Sequence, residues 1–193
     1  MNQIIFRREE KVDCPLTFSV RAKEVSKDLP DRIDALQQDW AAENPDFDTY
    51  AMGIVGRIMI LGCLLDQRVS EVLKPYQLQY SEFDVLATLR RAGSPYELTP
   101  KILLSTVVLT SGAMTALLDR LTKRGLTRRG NSPTDGRKRT VILTEKGKKL
   151  VDEVAELRFK EASQAISCFS QKESFALSNQ LRKMSKWLED RRD

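Results

Sequence analysis

Histidine is absent from all 193 residues. That absence removes a Ser-His-Asp or Cys-His nucleophile and any imidazole metal site. Cysteine is scarce: Cys14, Cys63 and Cys168 lie far apart and form no Cys-x-x-Cys pair. A disulfide framework is therefore not expected, and a reducing cytoplasm is the natural compartment. The chain also lacks a phosphate-cradling glycine loop and a convergent pair of carboxylates, so neither enzymatic chemistry nor a metal or cofactor is expected. The N-terminal MNQIIFRREEKVDC has no apolar core of signal-peptide length. The longest apolar run, Ala51 to Leu65, is interrupted by Arg57 and falls short of the ~20 residues that span a bilayer. A soluble chain with no membrane partner is expected.

What is present is a concentrated positive charge. From Arg120 to Lys149 eleven basic residues face only Asp135 and Glu145, a net of +9. The whole chain carries +5, which leaves −4 for the rest. Such concentration is the electrostatic footprint of a polyanion binder. The stretch around it, Thr99 to Lys149, reads as helix, turn, helix, hairpin and the start of another helix. Thr99-Pro100 opens the first helix. Thr110 or Ser111 caps the second, whose inner face is Met114, Leu117, Leu118 and Leu121. Gly125 ends it. Gly112, Thr115, Ala116 and Asp119 remain on the outer face, and their small side chains permit close approach to another surface. Leu126–Gly130 and Arg139–Leu143 form strands around NSPTDGRK, whose Pro133 and Asp135-Gly136 supply turn chemistry. A small-faced second helix suits the major groove of duplex DNA, and a basic hairpin beside it can reach the minor groove.

The flanking segments read as helices. Residues 1–28 form an arm of mixed charge. Leu29 to Glu43 is an amphipathic helix with Pro30 in its first turn and Ile33, Leu36, Trp40 and Ala41 as its stripe. Asp48 to Lys74 is apolar nearly all round, which requires cover on most sides. Gly53, Gly56 and Gly62 on it would allow another helix close. Tyr80 to Arg91, with Ser81 as cap, precedes a short strand at Tyr96-Glu97-Leu98 that joins the hairpin. After Thr144 a helix runs to about Ser167 with Phe159, Ala162, Ile166 and Phe169 on one side. Gln171 to Asp190 carries Phe175 or Leu177, Leu181, Met184 and Leu188 at near-heptad spacing. The expected fold is mainly α with a β-hairpin wing. Its parts are an arm (1–28), an extra helix and a dimerisation helix (29–75), a DNA-reading domain (76–149) and C-terminal dimerisation helices (150–193).

SGAMTALLDRLTKRGL, then RR, then DGRKRTVILTEKG resembles the winged helix-turn-helix of MarR-type bacterial transcription regulators. The resemblance runs from about Trp40 to the C-terminus and includes the wing pattern Asp-x-Arg followed by Leu-Thr-x-x-Gly. It implies a homodimer with interlocking first and last helices, bound to double-stranded DNA at a pseudo-palindromic operator with half-sites ~34–36 Å apart. Ser111, Thr115 and Ala116 would meet base edges. Arg120 and Lys123 would meet phosphate. Arg137 would enter the minor groove, oriented by Asp135, while Lys138 and Arg139 contact the backbone.

The urate-responsive, PecS-like branch of that family resembles the chain more closely still. That branch has an extra N-terminal helix bearing a tryptophan, matched by Trp40. It has an aspartate in the helix before the reading pair, matched by Asp84, and an arginine after the recognition helix, matched by Arg129. The recognition-helix arginine of the branch is Leu117 in this chain. Leucine removes a buried cation, so anionic urate should bind worse and a small aromatic or phenolic effector of lower charge is favoured. Trp40 equally suits a staple that anchors the extra helix. A ligand-relieved repressor is the resulting expectation. A cysteine redox switch of the same fold, acting through Cys14, Cys63 or Cys168, and a partner-binding protein with a degenerate helix-turn-helix are the alternatives.

Overall fold

The computed structural model describes residues 30–107, 110–131 and 139–191. The arm, Cys14 and three of the wing residues, Asp135, Arg137 and Lys138, lie outside them. The chain divides into two compact units between Leu65 and Asp66, inside one long helix.

In the first unit, α1 (Arg32–Glu43) is started by a capping box. Asp31 accepts from the backbone N–H groups of Ile33 and Asp34 at 2.8 and 3.0 Å, and Asp34 accepts from the Asp31 N–H at 2.7 Å. This carboxylate cap sets the start, so Pro30 precedes the helix instead of sitting in its first turn. Helix α2 (Thr49–Leu73) follows. Its Arg57 bonds Asp31 at 2.8 Å and Asp34 at 2.6 Å. Gln37 donates to the Thr49 carbonyl at 2.6 Å. Gly56 packs against Ile33, 3.0 Å from where its Cβ would stand, while a Cβ at Gly53 would meet only the flexible end of Gln37 at 2.5 Å. An added Cβ at Gly62 would meet nothing within 4 Å in this chain. Of the expected α1 stripe only Ile33 is buried.

The apolar run Ala51–Leu65 lies inside α2, and the continuous helical stretch Thr49–Tyr76 is long and apolar enough by length and composition to cross a membrane, a test that the core helix of a soluble protein also passes.

In the second unit, Leu73 is followed by a 3-10 turn (Lys74–Tyr76) and α3 (Tyr80–Arg91). The cap of α3 is Gln79, not Ser81, because Glu82 reaches back to the Gln79 N–H at 3.1 Å. Strand β1 (Glu97–Leu98) leads to α4 (Pro100–Thr106), capped by Thr99. Helix α5 (Ser111–Lys123) is capped by Thr110, whose hydroxyl accepts from the Ala113 N–H at 3.3 Å. Helices α4 and α5 turn through 113°, the angle of a helix-turn-helix. Gly125, at φ +70°, ends α5 as expected. Strands β2 (Thr127–Asn131) and β3 (Arg139–Leu143) pair antiparallel, Arg129 opposite Val141, and β1 adds to the far side of β3 with Glu97 opposite Ile142. The three-stranded order is β1-β3-β2.

Thr144 caps α6 (Glu145–Ala165), and Ser170 caps α7 (Gln171–Glu189). The core of this unit gathers Leu73, Val85, Leu86, Leu89, Leu103, Met114, Leu117, Leu121, Leu126, Val151 and Val154. Met114, Leu117, Leu118 and Leu121 are all buried, as their spacing predicts. Phe159, Ile166, Phe169, Phe175, Leu181 and Leu188 are exposed.

Candidate nucleic-acid interface

Helix α5 separates its residues by size. Its long apolar side chains point into the core, while Ser111, Gly112, Thr115 and Ala116 are exposed. The Thr115 hydroxyl donates to the Ser111 carbonyl at 3.2 Å. This local bond occupies its proton and leaves the methyl for an apolar contact. Lys123 and Arg128 stand exposed without an ion pair among the described residues, and Arg139 is exposed at the start of β3.

The far end of α5 is held on two sides. Toward α6, the Thr144 hydroxyl donates to the carbonyls of Gly125 (2.8 Å) and Leu126 (3.1 Å), and the Lys146 ammonium donates to that of Arg124 (2.8 Å). Gly147 is essential to this joint, because a Cβ there would lie 2.1 Å from the Leu126 carbonyl oxygen. Toward α3, Arg124 donates to the Gln77 and Tyr76 carbonyls at 2.8 and 2.9 Å. Arg120 donates through Nε to Glu82 at 3.0 Å. Gln77, Gln79, Glu82, Arg120, Lys123 and Arg124 line an open depression at this end. Glu82 was not singled out by the sequence reading, although its place three residues after Gln79 is a capping signature.

Within the second unit, the residues that the urate-responsive pattern would group each have other neighbours. Leu117 is 1% exposed within the core. Arg129 pairs with Asp119 of α5. Asp84 is partly buried with Arg91 as its nearest cation, at 3.9 Å. Burial raises the Asp84 pKa, and Arg91 only partly offsets this. No hydrogen bond or ion pair joins Asp84 to Arg129. Trp40 is 44% exposed and meets Phe47 at 5.7 Å, the arrangement of a local staple in the first unit. Among the described residues no group of acids and cysteines could hold a metal ion.

Comparisons with known proteins agree on the class. A family model described as transcriptional regulator SarA/Rot matches residues 67–154. The chain is 32% identical over 160 residues to the HTH-type transcriptional regulator PecS of Dickeya dadantii, a match covering 83% of this chain and 96% of that protein. A mutant MarR from E. coli, solved in complex with operator DNA, superposes with a TM-score of 0.60 at 25% identity over 75% of this chain and 96% of its own. BpsR of Bordetella bronchiseptica, whose DNA binding is regulated by 6-hydroxynicotinic acid, has the same fold at 23% identity, with a TM-score of 0.60 over 68% of this chain and 92% of its own.

Proposed function

The chain belongs to the MarR-type winged helix-turn-helix family of DNA-binding transcription regulators, and from that premise we propose that it acts as a homodimeric repressor of a pseudo-palindromic operator. The observation that carries this reading is the exposed N-terminal half of α5, where only small side chains project from a helix capped at one end and held at the other. In this reading Ser111, Thr115 and Ala116 lie against base edges in the major groove. Thr115 presents its methyl to thymine, since its hydroxyl serves the Ser111 carbonyl. Lys123, Lys138 and Arg139 neutralise phosphates, and Arg137, oriented by Asp135, enters the minor groove.

The second copy covers the apolar residues of α1, α2 and α7 that one chain leaves exposed, including Leu61, Leu65, Leu181 and Leu188. That cover also accounts for an apolar helix of spanning length in a DNA-binding regulator of the cytoplasm. Relief of repression comes from a small aromatic or phenolic effector less charged than urate. Leu117 offers no cation, and Arg129 is occupied by Asp119. The regulator of BpsR DNA binding, 6-hydroxynicotinic acid, is likewise a small aromatic molecule.

Selection of bound duplexes from a random pool tests the reading. The expected product is an inverted repeat with half-sites about one helical turn apart. Arg137→Ala should then weaken binding to every duplex and flatten its salt dependence. A selected motif with no symmetry, or equal affinity of the Arg137→Ala protein and wild type at moderate salt, contradicts it. Challenge of the complex with aromatic acids tests the effector separately.

A further inference from the structure

Glu82 is the one charged residue among the described buried ones, at 5% exposure. An unpaired carboxylate would be costly there. Each of its oxygens has a partner: Oε2 accepts from the Gln79 N–H at 3.1 Å, and Oε1 accepts from Arg120 Nε at 3.0 Å. Arg124 lies 3.8 Å from Oε2 while its guanidinium serves the Tyr76 and Gln77 carbonyls. The first turn of α3 thus grips the last turns of α5 through one acid and two arginines. The tie between these two helices joins Arg120 to Glu82.

We infer that Glu82 is a positioning residue for DNA reading, and that Arg120 serves Glu82 rather than a phosphate. The inference rests on the placement of α5 against DNA proposed above. Geometry gives the lever: Ser111 lies nine residues from Arg120, about 13 Å along the axis, so a tilt of roughly 5° at the grip moves Ser111 by about 1 Å. That is enough to lengthen a base contact beyond hydrogen-bond range. A guanidinium bound to a buried acid also contributes no counterion release, so the pair keeps Arg120 out of the sequence-independent part of binding.

The test is affinity for a selected operator duplex and for a random duplex, each as a function of salt, with full-length protein. Wild-type preference for the selected duplex tests the α5 reading first and independently of any variant. Glu82→Gln keeps the size of the side chain and an acceptor for the Gln79 N–H. It should lower operator affinity roughly 2- to 30-fold, the range of coupling lost when a positioning contact is removed. Random-duplex affinity should hold or rise, and the salt slope should steepen by about 0.9 per protomer as Arg120 turns to phosphate. Arg120→Ala should lower operator affinity by a similar factor with the salt slope unchanged. In the double variant the steeper slope should disappear. The inference is overturned if Arg120→Ala flattens the slope by about 0.9 per protomer with both duplexes weakened in step, the signature of a phosphate contact. It is equally overturned if Glu82→Gln leaves operator affinity and slope at wild-type values. Should Glu82→Gln fail to fold, the slope of the Arg120→Ala protein decides alone.

Discussion

Leu89 and Leu121 in the reading head are wholly enclosed, whereas Leu61, Leu65, Leu181 and Leu188, the same residue at helical spacing, stand 43–54% exposed. The difference is not one of pattern, since both sets repeat as a buried helix face would. It is one of supply. In the reading head α3, α4, α5, the sheet and the first half of α6 each contribute side chains to one core. In α7 no described residue is buried, and along α2 the buried large apolar side chains come only at Val69 and Leu73. A single chain therefore completes one region and leaves the other with apolar surface of the kind that marks an interaction site.

Replacing one leucine in each region separates the two. Leu121→Ala should cost about 2–5 kcal/mol of folding stability, independent of protein concentration, as measured by urea unfolding. If its midpoint moves by no more than that of a surface substitution, the core has been misplaced. Gly147→Ala comes next, at about 1–3 kcal/mol, because the added methyl must displace the Leu126 backbone. A wild-type midpoint for that variant would mean the α5–α6 joint yields freely. Leu181→Asp should leave the unfolding of the reading head nearly unchanged but raise the dimer dissociation constant by about tenfold or more, read by sedimentation at several concentrations. A dimer unaffected by it would place the second copy elsewhere.

The acids of the two regions sharpen the contrast with smaller effects. Asp31, bonded to Arg57, has a pKa lowered chiefly by that bond. Its contribution to stability is present above its ordinary value of 3.8 and is lost as pH falls through the lowered one. Asp84 is opposite: burial raises its pKa, so stability declines as pH rises from 3.8 through the raised value. Asp84→Asn should therefore be more stable than wild type at neutral pH and indistinguishable from it in strong acid. Asp31→Asn should be less stable at neutral pH, with the loss confined to amide exchange in α1. Matching pH profiles for the two variants would erase the distinction.

Much of this was legible in the sequence because it is written locally. Thr99-Pro100, Thr110, Gly125 and Thr144 are capping and stopping residues, and the helices begin and end where they stand. The four-residue inner face of α5 follows from spacing alone. The cap of α3 was missed because a serine outranks a glutamine at that position, while the deciding bond comes from Glu82, three residues on. The exposure of Phe159, Ile166 and the α7 stripe could not be read, since periodicity marks a face that wants cover without saying which chain supplies it. The partner of Arg129 could not be read for a similar reason. Arg129 was assigned by resemblance, but the partner it takes, Asp119, depends on how β2 lies beside α5.

The carbonyls of Arg124, Gly125 and Leu126 are grasped by the first turn of α6. Helix α6 is 21 residues long, so its far end travels well when its base turns only a little. A rotation of α6 about its base would therefore carry the tail of α5 with it, as a handle turns a key.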